Sequence, residues 1–293
     1  MRILIPLDGS PLAENALKPA VLFAKHNHPN AEIILVRVVR YPVVDGGLAG
    51  AYPEIRVDNL QDIAQEYLHS IVHSTLFHGL HVRAITQMGG PAQVICATAQ
   101  HEKADLIIMA SHGRVGFGKW MMGSVAEMVA RDAHIPVLIV QPQGEVFPDI
   151  GRFTPLTILV PLDGTSLSEA AIEPAAMLAR AFNGTLALVR ILPESTDNIA
   201  VAQEAYAYLT TFHDRLITEG VSVDRSLGWG DPAEQIVAKA VEHHADMVAI
   251  ATHARMPLAQ LMQGSVAFAV LHQLTMPVLI VHPIRETATI TAE

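Results

Sequence analysis

The chain has little cysteine and no long apolar run. Its single cysteine, Cys96, excludes a disulfide framework and a metal cluster held by several cysteines. No apolar run reaches about 18 residues, so the sequence predicts no membrane-spanning helix. The apolar segment over residues 1–6 is too short for a signal peptide and has the pattern of a strand. We therefore expect a cytoplasmic protein.

Basic residues are also scarce, because 19 Lys and Arg stand against 29 Asp and Glu, a formal net charge of -10. General nucleic-acid binding needs a basic face that replaces counterions, so the charge balance argues against it. Hydrophobic residues, by contrast, make up 51% of the chain and charged residues only 16%. That composition predicts a large core and excludes intrinsic disorder.

The most informative feature is an internal repeat. The run from Ile3 to Gly9 recurs almost unchanged from Ile158 to Gly164, and residues 109–140 align without gaps on residues 250–281. Repeats of this length indicate two copies of one folding unit. We predict one domain over residues 1–142, called copy one, and a second over residues 156–284, called copy two.

Each copy alternates apolar β-branched runs with segments of helical period. In copy one the predicted strands are residues 2–7, 32–39, 81–87, 105–110 and 136–140. Helices are expected from Ser10, which would cap the chain before Pro11, over 58–78 and 91–102, and from Ser124, with Glu127 completing a capping box. Five strands separated by helices predict an α/β fold, so we expect two tandem, doubly wound, Rossmann-like parallel sheets of five strands.

Ligands of such sheets bind beyond the carboxyl ends of the strands where strand order reverses, here the first and fourth strands. Asp8 follows the first strand and could accept hydrogen bonds from the amino group of a base. Gly113 follows the fourth strand, and nine residues later Gly123 and Ser124 begin a helix whose N–H groups suit phosphate. The bland alternative stays open: Asp8 only caps a turn, and Gly123 only connects a strand to a helix.

At these residues the chain resembles the universal stress protein family, in tandem form. ATP-binding members carry Gly, two residues, Gly, nine residues, then Gly and Ser or Thr, and here Ala110 replaces the first Gly. The resemblance implies an adenine nucleotide alpha hydrolase-like fold, ATP as ligand of copy one, with or without Mg²⁺, and a role in the stress response. It implies adenine near Asp8 and Val38, ribose and phosphates near Met109, Ala110, His112 and Gly113, and the phosphate end at Gly123, Ser124 and Val125. Independently of the resemblance, Arg114 supplies a cation to this region in an otherwise acidic chain.

Copy two departs further from that motif. Ala251 and Ala254 stand at both glycine positions, Pro257 enters the loop, and Gln260 replaces the cation Lys119. Proline fixes φ and removes an N–H donor, so the loop is stiffer. We expect copy two to bind nucleotide much more weakly than copy one, or not at all.

The last strand of each copy is short, apolar and uncharged, and an open edge of that kind invites association. Members of the family dimerise through this strand by antiparallel pairing. In a tandem chain the two copies can pair with each other, so we expect an internal pseudo-dimer, while a further homodimer and an unknown protein partner stay open.

Other candidate chemistry is weaker. His69 and His73 have the spacing of zinc ligands on a helix, but no carboxylate or cysteine accompanies them, so a solvated helix face is preferred and no metal site is predicted. Cys96 lies in mid-helix and is expected in the core rather than as a nucleophile. Ser10 and Ser124 lack the Gly-x-Ser-x-Gly elbow of serine hydrolases.

Function follows from the resemblance and the loop together. The preferred hypothesis is a non-catalytic stress-response regulator that binds ATP in copy one. Bound ATP would order the loop between Gly113 and Gly123 and so change a surface that a partner, or another copy of the chain, recognises. Two alternatives stay open: a slow ATPase at the same site, and a nucleotide-free protein-interaction module. The sequence names no catalytic residue.

Overall fold

A computed structural model describes residues 1–26, 30–40, 57–111, 122–141, 155–195, 198–252 and 266–283. Copy one contributes the strands β1 (Arg2–Pro6), β2 (Glu32–Val39), β3 (His81–Met88), β4 (Leu106–Ala110) and β5 (Val137–Val140). Its helices are α1 (Leu17–His26), α2 (Val57–Val72), α3 (Pro91–His101) and α4 (Ser124–Asp132), with 3-10 turns at Ala13–Ala16 and Thr75–Phe77.

Copy two repeats this order. Its strands are β6 (Thr157–Pro161), β7 (Thr185–Leu192), β8 (Ser222–Trp229), β9 (Met247–Ala251) and β10 (Val278–Val281). Its helices are α5 (Ser166–Glu169), α6 (Ile172–Ala181), α7 (Ile199–Thr218), α8 (Pro232–Glu242) and α9 (Val266–Gln273). No helix in the described parts of the chain is long and apolar enough to cross a membrane.

The ten strands form one sheet in the order β3-β2-β1-β4-β5-β10-β9-β6-β7-β8. Pairing within each copy is parallel, and β1 lies beside β4 as expected, with Ile3 opposite Leu106. The predicted doubly wound α/β fold is therefore confirmed. The two five-stranded halves are not separate sheets, however, because β5 and β10 join them into a continuous one.

The junction between the copies is the antiparallel pairing of β5 with β10, in which Leu138 lies opposite Leu279. The Gln141 side chain donates a hydrogen bond to the carbonyl oxygen of Leu274 at 2.7 Å, so polar contacts also cross the junction. The strands that would be open edges in a single copy thus cover each other, as the pseudo-dimer prediction requires.

The core has two layers, one on each face of the sheet, because successive side chains of a strand point to opposite faces. Ile3 and Ile5 pack on the face covered by α1 and α6, whereas Leu4 packs on the face covered by α3 and α8. The copies also meet in the first layer, where the rings of Phe23 and Phe182 make an edge-to-face contact with centroids 4.9 Å apart.

Two predicted helix starts are corrected. The Ser10 hydroxyl does accept from the Ala13 N–H at 3.2 Å, but the chain first forms a 3-10 turn and α1 begins only at Leu17. At α4 the N-cap is Gly123 rather than a Ser-Glu capping box, and no side chain caps the helix start. A capping box requires serine one residue before the helix, whereas Ser124 is its first helical residue.

Candidate functional site

A cleft with a volume of about 530 Å³ opens at the carboxyl ends of β1, β2 and β4. The first residues of α3 and α4 close it, since Pro91 and Ser124 are among its lining residues. Its wall is mainly apolar and includes Val36, Val38 and Ile95. This is the edge where open parallel sheets place their ligands.

One side of the cleft is the turn that follows β1. The Asp8 carboxylate accepts the Ser10 N–H at 2.9 Å. Gly9 has a φ of +89°, which favours glycine and lets the chain turn sharply after the strand. Asp8 therefore caps this turn, as the bland alternative expects, and the same residue also lines the cleft.

The opposite side is the start of α4, which a buried hydroxyl anchors to the end of β4. The Ser111 side chain is fully buried, and its oxygen accepts the Gly123 N–H at 3.0 Å. The Ser111 N–H in turn donates to the carbonyl oxygen of Val140 at 3.1 Å. Because the Gly123 N–H is already bonded, an anion at this end would meet the next amides of the first turn, at Ser124 and Val125.

The structure brings most of the predicted site residues to one place. Lining the cleft are Asp8, Val38, Met109, Ala110, Gly123, Ser124 and Val125. The predicted residues His112, Gly113 and Arg114 lie outside the described residues.

Sequence reasoning missed two residues of this site, Ser111 and Arg40. Arg40 follows β2, is exposed, and is the cation among the described lining residues of the cleft. Its position two residues after Val38 could have indicated it, because alternate residues of a strand point to the same face. Ser111 gave no such signal, since its partner Gly123 lies 12 residues further along the chain.

Copy two has a cleft at the corresponding edge, with a volume of about 300 Å³. Asp163 lines it, and its carboxylate accepts both the N–H and the hydroxyl of Thr165, at 2.9 and 2.6 Å. Burial raises the pKa of the Asp163 carboxyl, but the hydrogen bonds from Thr165 and Ser168 outweigh it and the net shift is downward. Pro193 stands where copy one has Arg40, so the described lining offers no cation.

Comparison with known proteins identifies the fold unit. The universal stress protein family matches this chain twice, over residues 1–141 and 156–282. The chain belongs to the universal stress protein family. This confirms the resemblance drawn from the repeated motifs, in its tandem form.

Some relatives match about half of this chain and others match nearly all of it. Universal stress protein MJ0531 of Methanocaldococcus jannaschii is 34% identical over 140 residues, which cover 48% of this chain and 81% of that protein. A universal stress protein of Mycolicibacterium smegmatis is 23% identical over 301 residues, covering 96% and 97% of the two chains. The crystal structure of a universal stress protein from Archaeoglobus fulgidus superposes with a TM-score of 0.72 at 22% identity, covering 96% of each chain, which shows the shared tandem fold.

Other candidate groups of this universal stress protein lie away from the cleft. Burial raises the pKa of Cys96 to about 11, and its side chain packs against the core, as expected of a structural cysteine. The rings of His69 and His73 lie 4.0 Å apart, and a His73 nitrogen faces the His69 carbonyl oxygen. Among the described residues no cluster of three or more His, Cys, Asp or Glu could hold a metal ion.

Proposed function

We propose that copy one binds an adenine nucleotide, ATP in the first instance, in the cleft between the Asp8 turn and the start of α4. The observation that carries this proposal is that one cleft of about 530 Å³ joins a carboxylate, an apolar wall and a helix N-terminus. Ligand pockets of small molecules span about 300–1,000 Å³ and combine an apolar wall with a few polar groups.

Each part of the cleft suits a different part of the ligand. The apolar side chains of Val38 and Met109 offer a surface for the flat base, and the Asp8 carboxylate can accept its amino group. Ser124 and Val125, in the first turn of α4, offer N–H groups and the positive end of the helix dipole to the phosphates. Arg40 adds a positive charge to a protein that is acidic overall.

Regulation rather than catalysis is the role that we propose for this nucleotide. Asp8 provides the single carboxylate among the described residues that line the cleft. These residues therefore offer no pair of acidic groups for general acid–base catalysis or for bridging metal ions. Bound ATP would instead shift the population of states of the surface around α4, within the limit of its differential affinity for those states. Copy two, with its smaller cleft, would support copy one structurally.

Calorimetric titration with ATP, with and without Mg²⁺, tests the proposal on the full chain. We expect one nucleotide per chain, an affinity reduced at least about tenfold in Asp8→Ala, and no change in the matched variant Asp163→Ala. At a hundred times the dissociation constant, ATP should also add about 2.7 kcal/mol to the free energy of unfolding.

Three results would contradict this proposal in different ways. Two sites of equal affinity would contradict the assignment to copy one. No heat and no thermal shift would indicate a nucleotide-free interaction module. Steady release of ADP that is lost in Asp8→Ala, measured on the same samples, would indicate a slow ATPase instead of a non-catalytic regulator.

A further inference from the structure

A guanidinium group lies directly behind the Asp8 turn. If Gly9 carried a Cβ atom, that atom would lie 3.0 Å from a terminal nitrogen of Arg37 and 3.2 Å from its Cζ. Real Cβ contacts are rarely so close, so the planar group fills the space that a side chain at this position would need. The backbone of the turn therefore lies next to the guanidinium group of Arg37.

Arg37 reaches the turn from the face of the sheet opposite the cleft. It lies on β2 between Val36 and Val38, both of which line the cleft, and successive side chains of a strand point to opposite faces. Arg37 thus lies against the turn and is not among the described residues that line the cleft.

The arginine is itself held in place by a helix. Its Cζ lies 4.7 Å from the centroid of the Tyr67 ring on α2, a cation–π arrangement. The Tyr67 hydroxyl donates to the carboxylate of Glu14 at 2.9 Å, and Glu14 lies in the 3-10 turn that follows Ser10. Burial, together with the neighbouring Glu14, raises the pKa of the Tyr67 hydroxyl above its ordinary value, so the hydroxyl remains a donor of this hydrogen bond at neutral and mildly alkaline pH.

Copy two contains the same arrangement. Arg190 lies 4.9 Å from the Tyr208 ring, the Tyr208 hydroxyl donates to Glu169 at 2.9 Å, and a Cβ at Gly164 would lie 3.1 Å from an Arg190 nitrogen. The cluster is thus the same in both copies even though their clefts differ in volume and charge. The chain therefore provides a matched internal control for any change at Arg37.

We propose that Arg37, held by Tyr67, is a positioning residue that fixes the Asp8–Gly9 turn in the geometry that nucleotide binding needs. The inference rests on the proposed function, because it assigns a consequence for ligand affinity to a residue outside the cleft. The guanidinium group acts through its shape: its plane supports the turn on one side and stacks on the tyrosine ring on the other. The equivalent Arg190 supports its own turn but has no effect on the nucleotide of copy one.

The test compares Arg37→Met with Arg190→Met in the full chain, by calorimetric titration with ATP well below the thermal midpoint. Both variants should lose stability by similar amounts, because they remove the same contacts. Only Arg37→Met should bind ATP more weakly, by about tenfold, as expected when a cation–π and packing contact no longer holds the turn. The affinity of Arg190→Met should stay within about twofold of the wild type.

A second pair, Arg37→Lys and Arg190→Lys, keeps the positive charge but removes the planar guanidinium group. This pair tests the inference even if the Met variants do not fold. Weaker ATP binding in Arg37→Lys alone supports positioning by shape, whereas full rescue by lysine would overturn it. Unchanged affinity in both Arg37 variants, or equal losses in the Arg190 variants, would also overturn the inference. A wild-type protein that binds no ATP would instead contradict the proposed function, so the two failures are distinguishable.

Discussion

The buried hydroxyl of Ser111 connects the end of β4 to the start of α4, and Ser111→Ala removes this connection with little change in volume. The Ser111 side chain is fully buried, and its oxygen accepts the Gly123 N–H at 3.0 Å. The variant leaves that half-buried N–H without its partner, which costs about 1–3 kcal/mol of the free energy of unfolding. For a domain of roughly 150–250 residues, each kcal/mol corresponds to about 2–4 °C in Tm.

Urea unfolding followed by circular dichroism measures this cost, with a lower midpoint and an unchanged slope expected for Ser111→Ala. Ser74→Ala is the matched control, because the Ser74 hydroxyl oxygen is buried and has no hydrogen-bond partner among the described residues. Removing a buried polar group without a partner relieves a desolvation cost, so its midpoint should stay equal or rise. Equal downward shifts in both variants, or a wild-type midpoint in Ser111→Ala, would refute the reasoning.

Other positions test a turn, the junction between the copies and the cysteine. Gly9→Ala should lower the thermal midpoint more than Gly79→Ala, because both have a positive φ but only Gly9 has another group at 3.0 Å from the added Cβ. Gln141→Ala should cost about 1–3 kcal/mol in urea unfolding, since it removes a 2.7 Å buried hydrogen bond between the copies. Burial raises the pKa of the Cys96 thiol to about 11, so about 0.1% of this thiol is ionised at pH 8. Iodoacetamide should therefore label the folded protein about a hundredfold more slowly than free cysteine, and faster as pH rises towards 11. A rate at pH 8 like that of free cysteine would contradict its burial.

Most strands were predictable from the sequence because they are short apolar runs bounded by turn residues, whereas β3 was predicted from its alternation of apolar and polar residues. The predicted strand over residues 32–39 coincides with β2, and the predicted helix over 91–102 differs from α3 by one residue. The adjacency of β1 and β4 followed from the topology rules of parallel sheets rather than from any local pattern. The internal repeat then extended these predictions to copy two, where the same order of elements recurs.

The contacts that hold the candidate site together were not predictable in this way. The hydrogen bond between Ser111 and Gly123 and the stacking of Arg37 on Tyr67 join residues that are far apart in sequence. Such contacts depend on the packing of whole elements, whereas periodicity reports only which face of an element is buried. The predicted capping box at α4 was wrong for a different reason. Ser and Glu three residues apart form a capping box only when serine precedes the first helical residue, and Ser124 is that first residue.

A single domain needs both a partner for its apolar edge strand and a ligand cleft. In a tandem chain the two copies can meet these two requirements separately. Copy two must supply β10, because β5 would otherwise be an apolar open edge, and its buried Leu279 lies opposite Leu138 of copy one. That requirement concerns the sheet and its core, whereas the cleft at the carboxyl ends of β6 and β9 takes no part in the pairing of β5 with β10. Arg190 and Tyr208 pack a helix on the sheet, and their arrangement closely matches that of Arg37 and Tyr67 in copy one. The clefts differ more, because Pro193 stands at the position of Arg40 and the volume is smaller in copy two. Clefts that differ between the copies, beside an arginine–tyrosine pair that does not, are what the proposed structural role of copy two predicts.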